Sequence, residues 1–112
     1  LLHVAQATSK LSTMKQRMGA AVVKGGRVLG VGYNRMGTSK RSAHQWSRHA
    51  ELQAVIAAGD ARGSTVYIYR GHGQTGAPML ARPCATCFGL LDEAGVRRVV
   101  YSTPTGPVME YV

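Results

Sequence analysis

Apolar residues recur at three- and four-residue steps near the start of the chain, at Val4, Ala7, Leu11, Met14 and Met18, while Lys10, Lys15 and Arg17 fall off that stripe. The spacing predicts an amphipathic helix over residues 3–18, closed by Gly19 as its C-terminal cap. The pattern then changes. Two short apolar runs, 19–24 and 27–33, flank Gly25-Gly26 and predict a β-hairpin. Gly30 and Gly32 leave one face of the second run without side chains, so close packing by a helix is expected there. Residues 34–48 form a polar, basic loop. Residues 49–58 read as a helix with Leu52, Val55 and Ile56 turned inward and Gly59 at its end. The β-branched and aromatic run 65–69 predicts a buried central strand. A Gly-containing loop over 70–82 leads to Pro83, a helix over 84–94 and its stop at Gly95. A strand over 97–101, a turn at 103–106 and an edge strand over 108–112 complete the chain.

The order α-β-β-α-β-α-β predicts an α/β protein, a three-layer α/β/α arrangement around a single mixed sheet of about five strands. At 112 residues, residues 1–112 form one domain, and no internal repeats or linkers divide it. The 45% apolar and 17% charged content is that of a globular protein rather than a disordered one. No apolar run is long enough to span a membrane, and no basic segment followed by a long apolar core marks a signal peptide. The formal charge of +9, from fourteen Lys and Arg against five acids, implies anionic partners, phosphate above all.

The chemistry-bearing residues are few. Cys84 and Cys87 are the only cysteines, and His49 lies upstream with Glu51 two residues beyond it. His49, Cys84 and Cys87 make a three-ligand set, the number a catalytic zinc uses, with the fourth tetrahedral position left open. On a helix, Cys84 and Cys87 share one face and gain from its N-terminus, which favours thiolates. Glu51 is close enough to carry a proton without ligating the metal, and a carboxylate can act first as base and then as acid. Backbone N–H groups around Ala50 and Cys84 are candidates for holding a substrate carbonyl. Arg35, Lys40, Arg41 and Arg48 lie in the loop that runs into His49 and are the candidates for phosphate contact, Arg35 and Arg48 first.

Other readings use fewer of these residues. A redox pair or disulfide loop would explain the cysteines but gives no role to His49 or Glu51. A non-catalytic zinc module needs a fourth ligand and leaves Glu51 unexplained. A basic nucleic-acid-binding zinc module rests on charge alone and lacks an aromatic platform, since Tyr67 and Tyr69 sit in an apolar strand and Trp46 stands alone in its loop. Cysteines kept as thiolates suit a reducing compartment, so a cytoplasmic location is expected.

His49-Ala50-Glu51 followed by Pro83-Cys84-Ala85-Thr86-Cys87 matches the H-x-E and P-C-x-x-C signature of zinc nucleobase deaminases. With residues 19–23, Gly32-Tyr33-Asn34 and residues 94–102, the chain resembles the cytidine and deoxycytidylate deaminase superfamily, small phage or viral members most. The resemblance implies a cytidine-deaminase-like fold with zinc on His49, Cys84 and Cys87, Glu51 as proton shuttle, Asn34 against the sugar or base edge, and the Ala50 backbone on the pyrimidine carbonyl. It implies a hydrolase acting on a cytosine nucleoside or nucleotide, with deoxycytidylate to deoxyuridylate as first expectation. Deamination of cytosine or adenine in single-stranded DNA or tRNA is the alternative. The loop before His49 has no cysteine, and His44 reads as a pocket or surface residue rather than a second-metal ligand. A homo-oligomer is expected, because a small catalytic domain often completes its pocket from a neighbouring copy.

Overall fold

The computed structural model describes residues 1–14, 16–34 and 49–112. Their elements are α1 (Leu2–Ser9), β1 (Gln16–Lys24), β2 (Arg27–Tyr33), α2 (Ala50–Ala58), β3 (Thr65–His72), β4 (Pro78–Met79), α3 (Ala85–Glu93), β5 (Arg98–Tyr101) and β6 (Val108–Tyr111). Five strands form a path in the order β2-β1-β3-β5-β6, and β4 pairs with the end of β3 to make a sixth.

β1 runs antiparallel to both of its neighbours, β2 and β3, so β2 and β3 point the same way. β5 is parallel to β3, and β6 returns antiparallel along its outer edge. The hairpin between β1 and β2 turns at Gly25 and Gly26, with φ of 58° and 77°. Positive φ at both central residues is what a type I′ turn requires, and glycine adopts it without strain.

Three glycines set where the helices lie. A Cβ on Gly30 would fall 2.5 Å from the Ala58 nitrogen, and one on Gly32 would fall 2.6 Å from the Ala54 nitrogen, so α2 rests almost backbone-to-backbone on β2. Gly30 and Gly32 pair in register with Val22 and Ala20, which places α2 over that face of β1 as well. Gly19 points to the other face, where a Cβ would meet the Ala5 oxygen and the Ser9 nitrogen. Helices therefore cover both faces, as the sequence order predicts. The main core lies on the α2 and α3 side and joins Val22, Leu52, Val66, Ile68, Leu91 and Val99. Leu52, Ile68 and Leu91 are fully buried, each contributing about 1.5–3 kcal/mol.

Four expectations change. The first helix ends at Ser9 rather than at 18, because Gln16–Met18 pair with His72–Arg70 and extend the sheet. Gly19 is consequently a close-approach residue inside β1, not a cap. Ile56 is exposed, since α2 turns its small residues Ala50 and Ala54 to the sheet. Finally, residues 70–82 are not all loop: the first three lengthen β3, and Pro78–Met79 pairs with it.

Candidate active site

α2 begins over Gly32 near the carboxyl end of β2, and α3 follows β3 through the short β4. The Ala81 N–H on the Ser102 carbonyl holds the run into α3 at the carboxyl end of β5, which is parallel to β3. Crevices at that end of an open α/β sheet are where such folds place their ligands. His49 is the N-cap of α2 in extended conformation, and Gly59 ends the helix at φ 78°. Cys84 is the N-cap of α3, and its Sγ accepts the Cys87 N–H at 3.5 Å.

His49 Nδ1 lies 3.6 Å from Cys87 Sγ and 3.7 Å from Glu51 Oε1. Donor atoms of His49, Glu51 and Cys87 all fall within 4.8 Å of one another. Cys84 is exposed at the rim and stands outside this tightest group, while Cys87 is buried. Tetrahedral zinc with nitrogen at about 2.0 Å and sulfur at about 2.3 Å holds those two atoms about 3.5 Å apart. The His49–Cys87 separation fits that span. The carboxylate of Glu51 is 2% exposed, and its Oε2 has no hydrogen-bond partner among the described residues. A buried carboxylate oxygen left this way is costly unless a cation or a ligand donor meets it.

The two thiols differ. The Cys87 N–H, first among several causes, holds the Cys84 thiol below its ordinary value. Burial, followed by the charge of Glu51, pushes the Cys87 thiol up. A divalent cation between these groups would reverse the second effect, because metal-bound thiols lose their proton. The donor set therefore suits zinc: one imidazole, thiolates and a nearby carboxylate in the first turn of α2, where the helix dipole favours negative charge.

Asn34 is buried at the end of β2. Its Oδ1 accepts the Met18 N–H at 2.8 Å and its Nδ2 donates to the Gln16 carbonyl at 2.8 Å, so the side chain extends the β1–β2 ladder. One amide hydrogen and one carbonyl lone pair remain for a ligand. Ala50 is fully buried at the first position of α2, where the backbone N–H has no acceptor within the helix. Arg35, Lys40, Arg41, His44 and Arg48 lie outside the described residues.

A polar scaffold behind Cys84 was not foreseen from the sequence. Arg82, next to Pro83, donates from Nε to Glu110 Oε2 at 2.7 Å and from Nη2 to Oε1 at 3.2 Å. Tyr101 donates its hydroxyl to the same carboxylate at 2.6 Å, and the Arg82 guanidinium lies 4.8 Å above the Phe88 ring. Ser102 takes the Arg70 N–H on its hydroxyl, donates that hydroxyl to the Met79 carbonyl, and receives the Ala81 N–H on its own carbonyl. These bonds tie the run into α3 to β3, β5 and β6. Twenty-eight residues separate Arg82 from Glu110, so no local spacing could have announced the pair.

Residues 1–103 match the family described as the cytidine and deoxycytidylate deaminase zinc-binding region. No curated protein matches the chain in sequence. Among solved structures, the dCMP deaminase of cyanophage S-TIM5 is 25% identical, covers 89% of this chain and 77% of its own, and superposes with a TM-score of 0.65. Cytidine deaminase from Mycobacterium leprae is 26% identical over 97% of this chain and 89% of its own, with a TM-score of 0.66. Cytidine deaminase from Burkholderia pseudomallei shares the fold over 99% of this chain and 89% of its own, at 20% identity and a TM-score of 0.71.

Proposed function

Since the chain belongs to the cytidine and deoxycytidylate deaminases, zinc-dependent hydrolytic enzymes, we propose that His49, Cys84 and Cys87 hold its zinc and that Glu51 moves the protons in deamination of a free cytosine nucleotide, deoxycytidylate first. The observation that carries this reading is the buried carboxylate of Glu51, with Oε2 unpartnered among the described residues and Oε1 3.7 Å from His49 Nδ1. Zinc, when bound, supplies a Lewis acid that makes water a competent nucleophile near neutral pH.

The remaining work falls to the chain. Glu51 takes a proton from the attacking water and delivers it to the ring nitrogen beside the reacting carbon. It then takes the second proton of that water, now on the new hydroxyl, and gives it to the departing amine, so that the C–N bond breaks, ammonia leaves and the water oxygen becomes the carbonyl. The backbone N–H of Ala50 orients the pyrimidine carbonyl. Asn34 fixes the end of β2 against β1 and offers its remaining amide valences to the sugar. Arg35 and Arg48 grip the 5′-phosphate. The net charge of +9 and the likeness to a phage dCMP deaminase support a nucleotide substrate, while the likeness to cytidine deaminases keeps the nucleoside in the assay.

Deamination within a polynucleotide is the second reading, supported by the net charge of +9. Family membership removes the non-enzymatic zinc module. Free thiols at Cys84 and Cys87 favour a reducing, cytoplasmic setting, and self-association belongs to the same reading, measurable by sedimentation. Among the described residues no helix is long and apolar enough to cross a membrane.

Ammonia release by the zinc-loaded enzyme tests the proposal, with cytosine, deoxycytidine, deoxycytidylate, deoxyadenosine and a short single-stranded oligonucleotide as substrates. Deoxycytidylate should turn over well above deoxycytidine. Glu51→Gln should keep its zinc and lose at least about 10²–10⁴-fold in kcat. Turnover of the oligonucleotide alone would shift the assignment to the polynucleotide, and a Glu51→Gln enzyme within a few-fold of wild type would overturn the proton shuttle.

A further inference from the structure

Arg17 lies on the face of β1 away from the metal cluster, in register with Gly71 and on the same side as Gly19. Arg17 is half-buried, its buried Nε has no hydrogen-bond partner among the described residues, and no described carboxylate pairs with it. A cleft of about 380 Å³ opens here between the end of α1 and the β3–β4 turn, lined by Lys10, Arg17, His72, Gln74 and Thr75 among others. It shares Arg17, His72 and Gln74 with an adjacent hollow of about 480 Å³. None of the five acids of the chain lines either space.

The turn on the far wall is held in one shape. Gln74 donates its N–H to His72 Nδ1 at 3.2 Å, and Gly76 donates its N–H to the His72 carbonyl at 2.8 Å. Tyr69 donates its hydroxyl to the Gly76 carbonyl at 2.7 Å. With Nδ1 accepting, a neutral His72 ring carries its proton on Nε2 and is a donor there. The cleft thus gathers donors and positive charge with no protein anion to meet them. We propose that it binds a phosphate group on Arg17, Lys10 and His72, on the sheet face opposite the metal cluster. A guanidinium fork matches phosphate oxygens two at a time, and an uncommitted arginine is pre-organised for that role. The phosphate can come from a small anion such as inorganic phosphate or from the backbone of a single strand.

The two sources separate in a titration of the zinc-loaded full chain followed by ¹H–¹⁵N spectra that include the Arg17 Nε–H. The probes are inorganic phosphate and a short single-stranded oligonucleotide, with sodium chloride at matched ionic strength as reference. A saturable shift at Arg17 and at the amides of Gly73 and Gln74 with phosphate marks a small-anion site. The same shifts with the oligonucleotide alone mark a backbone site. Arg17→Gln should weaken binding by about tenfold or more. Arg17→Lys, which keeps charge without the fork, should fold readily and still bind several-fold more weakly. Glu51→Gln should bind like wild type. Absence of any shift beyond the chloride reference, or wild-type affinity in both Arg17 variants, would overturn the site.

Discussion

Gly32→Ala is the sharpest test of how the fold positions the chemistry. The new methyl carbon would stand 2.6 Å from the Ala54 nitrogen and 2.7 Å from the Ala50 oxygen, where ordinary contact begins at 3.4 Å. Both obstacles are α2 backbone and cannot rotate away, so the helix must retreat by roughly 0.8 Å, a strain on the order of 1–3 kcal/mol. α2 carries His49 at its N-cap and Glu51 in its first turn. Its displacement alters the 3.6 Å His49–Cys87 approach and the place of the carboxylate together. A 1 Å misplacement of catalytic groups can lower the rate by about 10²-fold. Gly25→Ala is the control, since its φ of 58° makes alanine strained but nothing lies within 4 Å of the added carbon. The assays are thermal unfolding, zinc affinity by competition with a chromophoric chelator, and kcat on deoxycytidylate. Gly32→Ala should lose zinc affinity and kcat, while Gly25→Ala should lose only stability. Wild-type zinc affinity and kcat in Gly32→Ala would refute the reasoning.

Asn34→Ala removes both side-chain bonds to β1 and leaves the Met18 N–H and Gln16 carbonyl without these partners; denaturant unfolding should show a loss of about 1–3 kcal/mol, and a change under half of that range's lower end would sink the role. Chelating the zinc should lower Tm, because a ligand at one hundred times its Kd stabilises by about 2.7 kcal/mol, or roughly 10 °C or more for a domain this size; an unchanged Tm would count against a bound metal. Arg82, and after it Tyr101, holds the Glu110 carboxyl below its ordinary value of 4.5. A depressed folded value means that this stabilisation is complete above about the ordinary value and is lost as pH falls through the folded one. Glu110→Gln should therefore flatten the acid limb of the Tm profile, and an unaltered limb would show that the pair contributes nothing.

Much of this was legible because the informative residues act locally. Gly25-Gly26 could be read as a turn and Gly30 with Gly32 as a packing surface from the residue type alone. The cysteine pair and the His49–Glu51 spacing put these residues forward as donors, and the structure gathers His49, Glu51 and Cys87 among them. The first helix misled because Leu11, Met14 and Met18 continue a helical period by chance; pairing with β3 outweighs that weak local preference, and Leu11 ends 62% exposed. Nor could spacing reveal that Asn34 spends its amide on β1, or that Arg82 meets Glu110. Those contacts exist only once distant segments have been brought together by the sheet.

The two halves of the proposed metal site are held by different physics. His49 and Glu51 ride on a helix seated by close backbone packing over Gly30 and Gly32. Cys84 and Cys87 depend on a run of chain pinned by polar groups, through Ser102 and the Arg82–Glu110 pair. In the proposed site the halves meet at the metal, so damage to either should weaken zinc binding. Only the first also carries Glu51, the proposed proton shuttle. At saturating zinc, Glu110→Gln should regain near wild-type kcat, because filling the site restores the cysteine half. Gly32→Ala should stay impaired, because Glu51 remains displaced when the metal is in place. Full rescue of Gly32→Ala by excess zinc would mean that α2 positions a ligand but not the carboxylate.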